Sequence, residues 1–466
     1  MKTLSKSDFN IQPKPVKILQ FGNGNFLRGF TDWMVEKANL AAVFNGNIQV
    51  VQVHSKYGND TMKDQDNLFH VIEQGLKNGE LVQQYQLISC IEGITNVFED
   101  YQNYLKLGEN PDLRFVVSNT TEAGIVFNPN DTDSAAISQT FPGKLTALLY
   151  RRFQTFSGDE SKGLVFLPCE LIEQNGEALK SCIDKYSTLW KLPMAFSEWI
   201  DSSCTFCNTL VDRIVPGFPK GNIDEIQEKL GYEDKLAVMV EPYHFWAIEG
   251  GDAIRNEFAL DKAGLNVKFV DDLTRFRTQK VRILNGGHTA MVPYAYLKGL
   301  RTVRESVENP EIGNFLRKAV FEEIIPTLDM QEDELKAFAN DVLERFANPF
   351  IVHELKSIAL NCISKFKVRV LPSLLAYHEK KGVWPANLTT AFAALLVFYK
   401  GEFNGEKTPV NDDPAVMKLF QDAWELASTQ ETVQVLLKEA SFWGEDLSQH
   451  DGLEEAVTSA VDMLLK

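Results

Sequence analysis

Apolar runs of strand length punctuate the first half of the chain. They are VKILQF (16–21), IQVVQVH (48–54), YQLISC (85–90), RFVVSN (114–119), GLVFLP (163–168) and LAVMVE (236–241). Most are separated by segments whose apolar residues recur at helical spacing, as in FLRGFTDWMVEKA after the first. Strands alternating with helices predict a doubly wound, mostly parallel sheet. From about residue 275 the strand pattern gives way to helical periodicity, in NFLRKAVFEEIIPTL, EDELKAFANDVLERFA, PAVMKLFQDAWELAS and the closing LEEAVTSAVDMLLK. The expected division is an α/β domain over 1–274 and an all-α domain over 275–466. No repeat, low-complexity tract or Gly/Ser linker separates them, so they are expected to pack closely around a shared site.

One helical segment is at odds with its own composition. In KVRILNGGHTAMVP (280–293), Val281, Leu284, His288 and Met291 keep helical spacing, yet Gly286 and Gly287 sit mid-segment and Pro293 follows. Each interior Gly costs about 0.8–1 kcal/mol against Ala, and an interior Pro about 3 kcal/mol. If the segment is one α-helix, Lys280, Asn285 and His288 fall within an arc of roughly 140°. The glycines then acquire a purpose, letting the helix come close to a cofactor or substrate. A desolvated Lys can serve as acid–base, an Asn amide can stabilise a developing alkoxide, and His288 can orient the reacting oxygen. The plainer alternatives are a solvated surface lysine and a histidine that only packs.

A second motif lies after the first strand. In VKILQFGNGNFLRGF, Gly22 permits a tight turn and Gly24 lets the backbone approach a pyrophosphate at a helix N-terminus. Phe21, Gly22, Asn23, Gly24, Asn25, Phe26, Leu27 and Arg28 are the candidate cofactor-binding residues, with Leu27 standing where a third glycine is usual. The strand–turn–helix context makes the first domain Rossmann-type. A dinucleotide site often carries an acid at the end of the second strand, but this strand ends with His54, Ser55 and Lys56 before Asp60 appears. Residues alone therefore leave NAD against NADP open.

Composition narrows the partners. The 466 residues are 44% hydrophobic and 24% charged, with a formal net charge of −17. That balance argues against a nucleic-acid backbone as partner, but leaves room for a local cationic pocket that takes a small anion. The longest apolar segment, AFAALLVFY (391–399), is too short for a membrane span, and the polar N-terminus is no secretory signal. Six cysteines suggest reduced thiols in a cytoplasmic enzyme. Cys204 and Cys207 have metal-like spacing without further ligands nearby, so no metal is expected.

At these residues the chain resembles the mannitol dehydrogenase family of polyol-specific long-chain dehydrogenases. KVRILNGGHTAMVPYAYLKG is similar to that family's signature, including its Lys-x4-Asn-x2-His spacing. GNGNFLRGF is similar to its nucleotide turn, which carries Arg in place of the third Gly. CNTLVDRIVPG (207–217) and RFANPFIVHELKSIALNCISKFKVRVLP (345–372) resemble two further segments. LPCELIEQNGEAL (167–179) and MVEPYHFWAIEGG (239–251) look like the hexuronate-reducing branch. The resemblance implies a zinc-independent, NAD-dependent reduction of D-tagaturonate to D-altronate, and hence an anionic sugar acid as partner. Fructuronate or fructose reduction is the alternative within the class, and a non-catalytic nucleotide sensor the alternative outside it. Carried over by position, Lys280 becomes the acid–base, Asn285 an oxyanion donor and His288 a substrate contact. Asp212 and Lys365 fall on substrate positions, and Asn175 is the candidate for a second oxyanion Asn. Ser357 stands where polyol members carry Arg, so Lys365, helped by Arg369, is expected to meet the substrate carboxylate. Lys356 and His353 lie nearby in sequence.

Overall fold

A computed structural model of the chain describes residues 1–53, 60–121 and 123–466. His54, Ser55 and Lys56, which bear on the choice between NAD and NADP, lie outside the described residues. The chain divides into two compact units, one of residues 1–74 and 81–273, the other of 75–80 and 274–466.

The first unit is built on six strands, Val16–Phe21, Asn47–Gln52, Ile91–Asn96, Phe115–Ser118, Val165–Pro168 and Thr205–Phe206. All pair in parallel, and across the sheet they run third, second, first, fourth, fifth, sixth. That is the order of a dinucleotide-binding fold, with its switch point between the first and fourth strands. Side chains alternate between two cores. Ile18, Val50, Phe115, Val117, Val165 and Leu167 enter one, whereas Leu19, Phe21, Val51, Val116 and Phe166 enter the other. Burial on both faces explains why these strands read as nearly continuous apolar runs.

Two of the expected strands belong elsewhere. Glu80–Ile88 and Val238–Val240 flank Phe69–Lys77 in a separate three-stranded sheet. The hairpin turns at Asn78 and Gly79, whose φ values of 54° and 78° suit the Asn-Gly pair. The main sheet instead takes Ile91–Asn96 and the two-residue Thr205–Phe206, edge strands too polar or too short to stand out by hydropathy. A third sheet joins Thr209–Asp212, Phe245–Glu249 and Val267–Val270.

The second unit is helical around one core, apart from a small ribbon of Glu402–Phe403 and Glu406–Lys407. Its centre is Ala386–Phe398, the apolar run noted above, in which every residue from Ala391 to Phe398 is buried. The Asn78–Gly79 tip contributes here, where the Glu344 carboxylate accepts both backbone N–H groups at 3.1 and 2.5 Å. Among the described residues, no helix is long and apolar enough to cross a membrane.

Candidate active site

The glycine turn leaves the first strand at the switch point. Gly22 has φ +119°, and a Cβ there would stand 3.1 Å from the Asn119 carbonyl oxygen and 3.3 Å from Leu27 Cδ1. Backbone strain and crowding together demand glycine. Gly24 has an ordinary φ of −67° but faces open space, with nothing within 4 Å of an added Cβ. It caps the helix that begins at Asn25, and no side chain caps that first turn. An open backbone at an uncapped helix N-terminus, seated at the switch point, fits a dinucleotide pyrophosphate.

Several side chains of the turn face inward. Phe21 packs against Tyr104 and Phe141, and Phe26 stacks on Phe30 at 4.9 Å. Leu27 is buried beneath Gly22. Arg28, a candidate cofactor residue, donates to the Leu236 carbonyl at 2.5 Å and to Asn25 Oδ1 at 2.7 Å, with its guanidinium over the Phe69 ring. Burial lowers its pKa. The reason is local: the helix is π-wound over Arg28–Asp32, and Arg28 points to the carbonyl that lies beneath it. Arg28 braces the turn from below, and the backbone remains the part offered to a ligand.

Other residues at the switch point went unnoticed in the sequence. Gln20 is fully buried and donates from Nε2 to the Gly22 carbonyl at 3.2 Å. It also hydrogen-bonds Asp32, whose carboxyl burial pushes up to about 7, opposed by that bond and by the Arg28 charge. At the end of the fourth strand, Asn119 donates to the Cys169 carbonyl, and the buried Glu170 carboxylate accepts from the Ser118 hydroxyl and from the Thr120 amide and hydroxyl. Burial raises the Glu170 pKa against those same bonds. The available signal was Gln20 itself, a polar residue in a strand buried on both faces.

Asn175 is held by its surroundings. It is buried, its Nδ2 lies 2.9–3.1 Å from the carbonyls of Pro168, Glu170 and Thr209, and its Oδ1 accepts from the Thr209 amide at 2.8 Å. Its amide knits the start of helix Asn175–Leu189 to the strand ends. Asp212 closes the strand Thr209–Asp212, buried and paired with Phe245. The next residue, Arg213, is a framework cation bound to Gly29, Glu73 and Glu241. Among the described residues, no three His, Cys, Asp or Glu side chains group as metal ligands.

In the second unit, Lys280, Asn285 and His288 lie on one continuous helical run from Thr274 to Leu297. The stretch Lys280–Asn285 is π-wound. Hydrogen bonding from i to i+5 stacks residues five apart, so Lys280 and Asn285 share a column more nearly than an ordinary α-helix allows. His288, three residues on, continues that face. Lys280 and Asn285 are half-buried and His288 is buried. The His288 ring lies parallel to Phe346 at 3.9 Å and edge-on to His353 at 5.3 Å, which fixes its plane.

The glycine pair has a different purpose from the one expected. A Cβ on Gly286 would stand 3.0 Å from the backbone oxygen of Arg369, and one on Gly287 would stand 3.5 Å from Leu316. Gly286 serves helix-to-helix approach, admitting the end of helix Cys362–Arg369, whereas a Cβ on Gly287 would make only ordinary contact. On that helix Lys365 donates from Nζ to the Ile358 carbonyl at 2.9 Å, and Arg369 Nη1 reaches Thr289 Oγ1 at 3.4 Å. Burial lowers both pKa values, and the Arg369 charge lowers that of Lys365 further. Ser357 and Lys356 are exposed, the first bonded to the Glu354 carbonyl and the second paired with the Glu354 carboxylate.

Comparison with known proteins gives consistent relatives. A family model described as the mannitol dehydrogenase Rossmann domain matches residues 16–262, and one described as the mannitol dehydrogenase C-terminal domain matches 272–465. An altronate oxidoreductase of Bacillus subtilis (strain 168) is 48% identical over 460 residues, covering 98% of this chain and 94% of that protein. In fold, the chain is similar to D-sorbitol dehydrogenase in substrate-free form, with a TM-score of 0.81 at 22% identity, covering 100% of this chain and 98% of that one. It is also similar to Pseudomonas fluorescens mannitol 2-dehydrogenase in a ternary complex with NAD and D-mannitol, with a TM-score of 0.69 at 20% identity, covering 97% and 92%.

Proposed function

The chain belongs to the mannitol dehydrogenase family, as an oxidoreductase acting on a CH–OH group, and from that premise we propose that it interconverts D-tagaturonate and D-altronate with NAD(H). The reaction is that of a cytoplasmic enzyme of hexuronate breakdown. The observation that carries this reading is the column of Lys280, Asn285 and His288, in the same unit as the half-buried cations Lys365 and Arg369.

The backbone from Gly22 to Asn25 would hold the cofactor pyrophosphate at the first helix turn. When bound, nicotinamide supplies a hydride in one direction and accepts it in the other. The chain's own work is done on the reacting oxygen. In reduction, Lys280 gives a proton to the carbonyl oxygen while the carbonyl carbon gains its hydride, so a C=O becomes a CH–OH. In oxidation, Lys280 takes the hydroxyl proton. The Asn285 amide donates to the oxygen as negative charge develops there, and stabilisation of that kind acts in the transition state. His288, its ring plane held by Phe346, orients the same oxygen.

The test is NADH oxidation with tagaturonate, fructuronate and fructose side by side, and tagaturonate is expected to be turned over fastest. A preference for either of the others overturns the substrate assignment. The cofactor site has its own test. Gly24→Leu fills the open space above the turn and is expected to weaken NADH binding about tenfold or more, the equivalent of ~1.4 kcal/mol. Fluorescence titration reads it; wild-type affinity in the variant places the pyrophosphate elsewhere. A clear NADPH preference in the wild type overturns the choice of NAD.

A further inference from the structure

Helix Cys362–Arg369 carries two cations one turn apart, Lys365 and Arg369, and neither forms an ion pair within 4 Å among the described residues, although Asp412 acts on Lys365 from further off. The Lys365 ammonium is engaged by the Ile358 carbonyl. The nearby Asp412 carboxylate is itself bound by the Tyr399 hydroxyl. A guanidinium offers five N–H donors, and among the described residues only Nη1 of Arg369 has a hydrogen-bond partner, the Thr289 hydroxyl at 3.4 Å. Removing a charge from water without an opposite charge is costly. In a chain of net charge −17, an uncompensated, half-buried guanidinium is a strong signal for an anionic ligand.

Gly286 explains how that guanidinium comes to stand where it does. Its missing side chain lets the Arg369 backbone oxygen lie where an added Cβ would be 3.0 Å away. The Arg369 side chain then runs along the face of the neighbouring helix to Thr289. Thr289 follows His288 directly and lies one turn beyond Asn285, the spacing that puts two residues on one face. The planar fork of Arg is the group best matched to a carboxylate, which it meets through two parallel hydrogen bonds.

We propose that Arg369, seated by Gly286, reads the carboxylate of the sugar acid and makes this enzyme prefer acid over neutral substrates. The inference rests on the reaction assigned above and reverses the order expected from sequence, in which Lys365 led and Arg369 assisted. Lys365, held by Ile358, is left to the hydroxyl groups and to the overall charge of the pocket. A glycine that looks like a packing detail becomes a positioning residue for specificity.

Binding of altronate and of its neutral counterpart altritol to the enzyme–NADH complex tests this, by isothermal titration calorimetry on the full chain. The wild type is expected to bind altronate about 10- to 100-fold more tightly, the range for a hydrogen bond to a charged group. Arg369→Met should close that gap and Arg369→Lys restore part of it, because an ammonium keeps the charge but loses the fork. Gly286→Ala should narrow the gap by displacing Arg369; should it fail to fold, the two Arg369 variants decide alone. A gap that survives in Arg369→Met, or one absent from the wild type, overturns the proposal. Failure of the wild type to oxidise NADH with tagaturonate sinks the reaction assignment, while the altronate–altritol gap still reports whether Arg369 reads a carboxylate.

Discussion

Replacing Lys280 with alanine is expected to lower kcat for tagaturonate reduction by about 10²–10⁴-fold, the usual contribution of a general acid–base group. NADH affinity should stay near the wild-type value, because the residue acts only when a proton moves. Reduction leaves an alkoxide unless a proton arrives as the hydride does, and Lys280 opens the π-wound stretch that stacks it with Asn285. A loss confined to kcat and kcat/KM, with cofactor binding intact, marks an interaction made in the transition state. Small primary amines added to the Lys280→Ala enzyme should restore part of the rate by replacing the missing proton donor. An alanine variant that turns over tagaturonate at nearly the wild-type rate would make Lys280 a surface charge, and the column it heads would lose its meaning. Asn285→Ala, measured alongside, separates proton transfer from charge stabilisation, since amines should not rescue it.

The π turn also marks where sequence reasoning stops. Periodicity placed Lys280, Asn285 and His288 on one helix, but whether the backbone bonds i to i+4 or i to i+5 depends on what packs around it. The glycine pair shows the same limit. Gly286 and Gly287 signal close approach, yet only the packed unit tells that it happens at Gly286 and that the Arg369 backbone does the approaching. The doubly wound architecture was legible because strands buried on both faces have no polar side to dilute their apolar runs. Glu80–Ile88 was misplaced because an apolar run carries no record of which sheet receives it, although the Asn78-Gly79 turn beside it announces a hairpin. The partners of Asn175 and Arg28 were not legible, because short motifs name residue types and not directions. Both side chains turn to backbone carbonyls, which sequence spacing does not locate.

The buried Asp32 leads to an expectation about stability, with its sign fixed by the direction of its shift. In the unfolded chain this carboxyl titrates near 3.8, and in the folded chain burial pushes it up to about 7. Between those values the folded protein holds a proton that the unfolded chain has released, so folding takes up a proton. Stability is therefore full below the lower value and falls as pH rises, by about 1.4 kcal/mol per pH unit and about 4 kcal/mol in all, levelling off above the higher one. Asp32→Asn has no proton to lose. Its amide can accept from Gln20 Nε2, and its own NH2 can donate to Gln20 Oε1, which has no partner among the described residues. The variant should match the wild type at about pH 4 and exceed it by several kcal/mol at about pH 8, read as the midpoint of denaturant unfolding. A stability difference that is the same at both pH values would mean that Asp32 stays ionised throughout. Because Gln20 links Asp32 to the Gly22 carbonyl, NADH titration of the same variant asks a second question. Asparagine preserves the bridge, so cofactor affinity should hold, whereas Asp32→Leu removes it and should loosen the turn that binds the pyrophosphate.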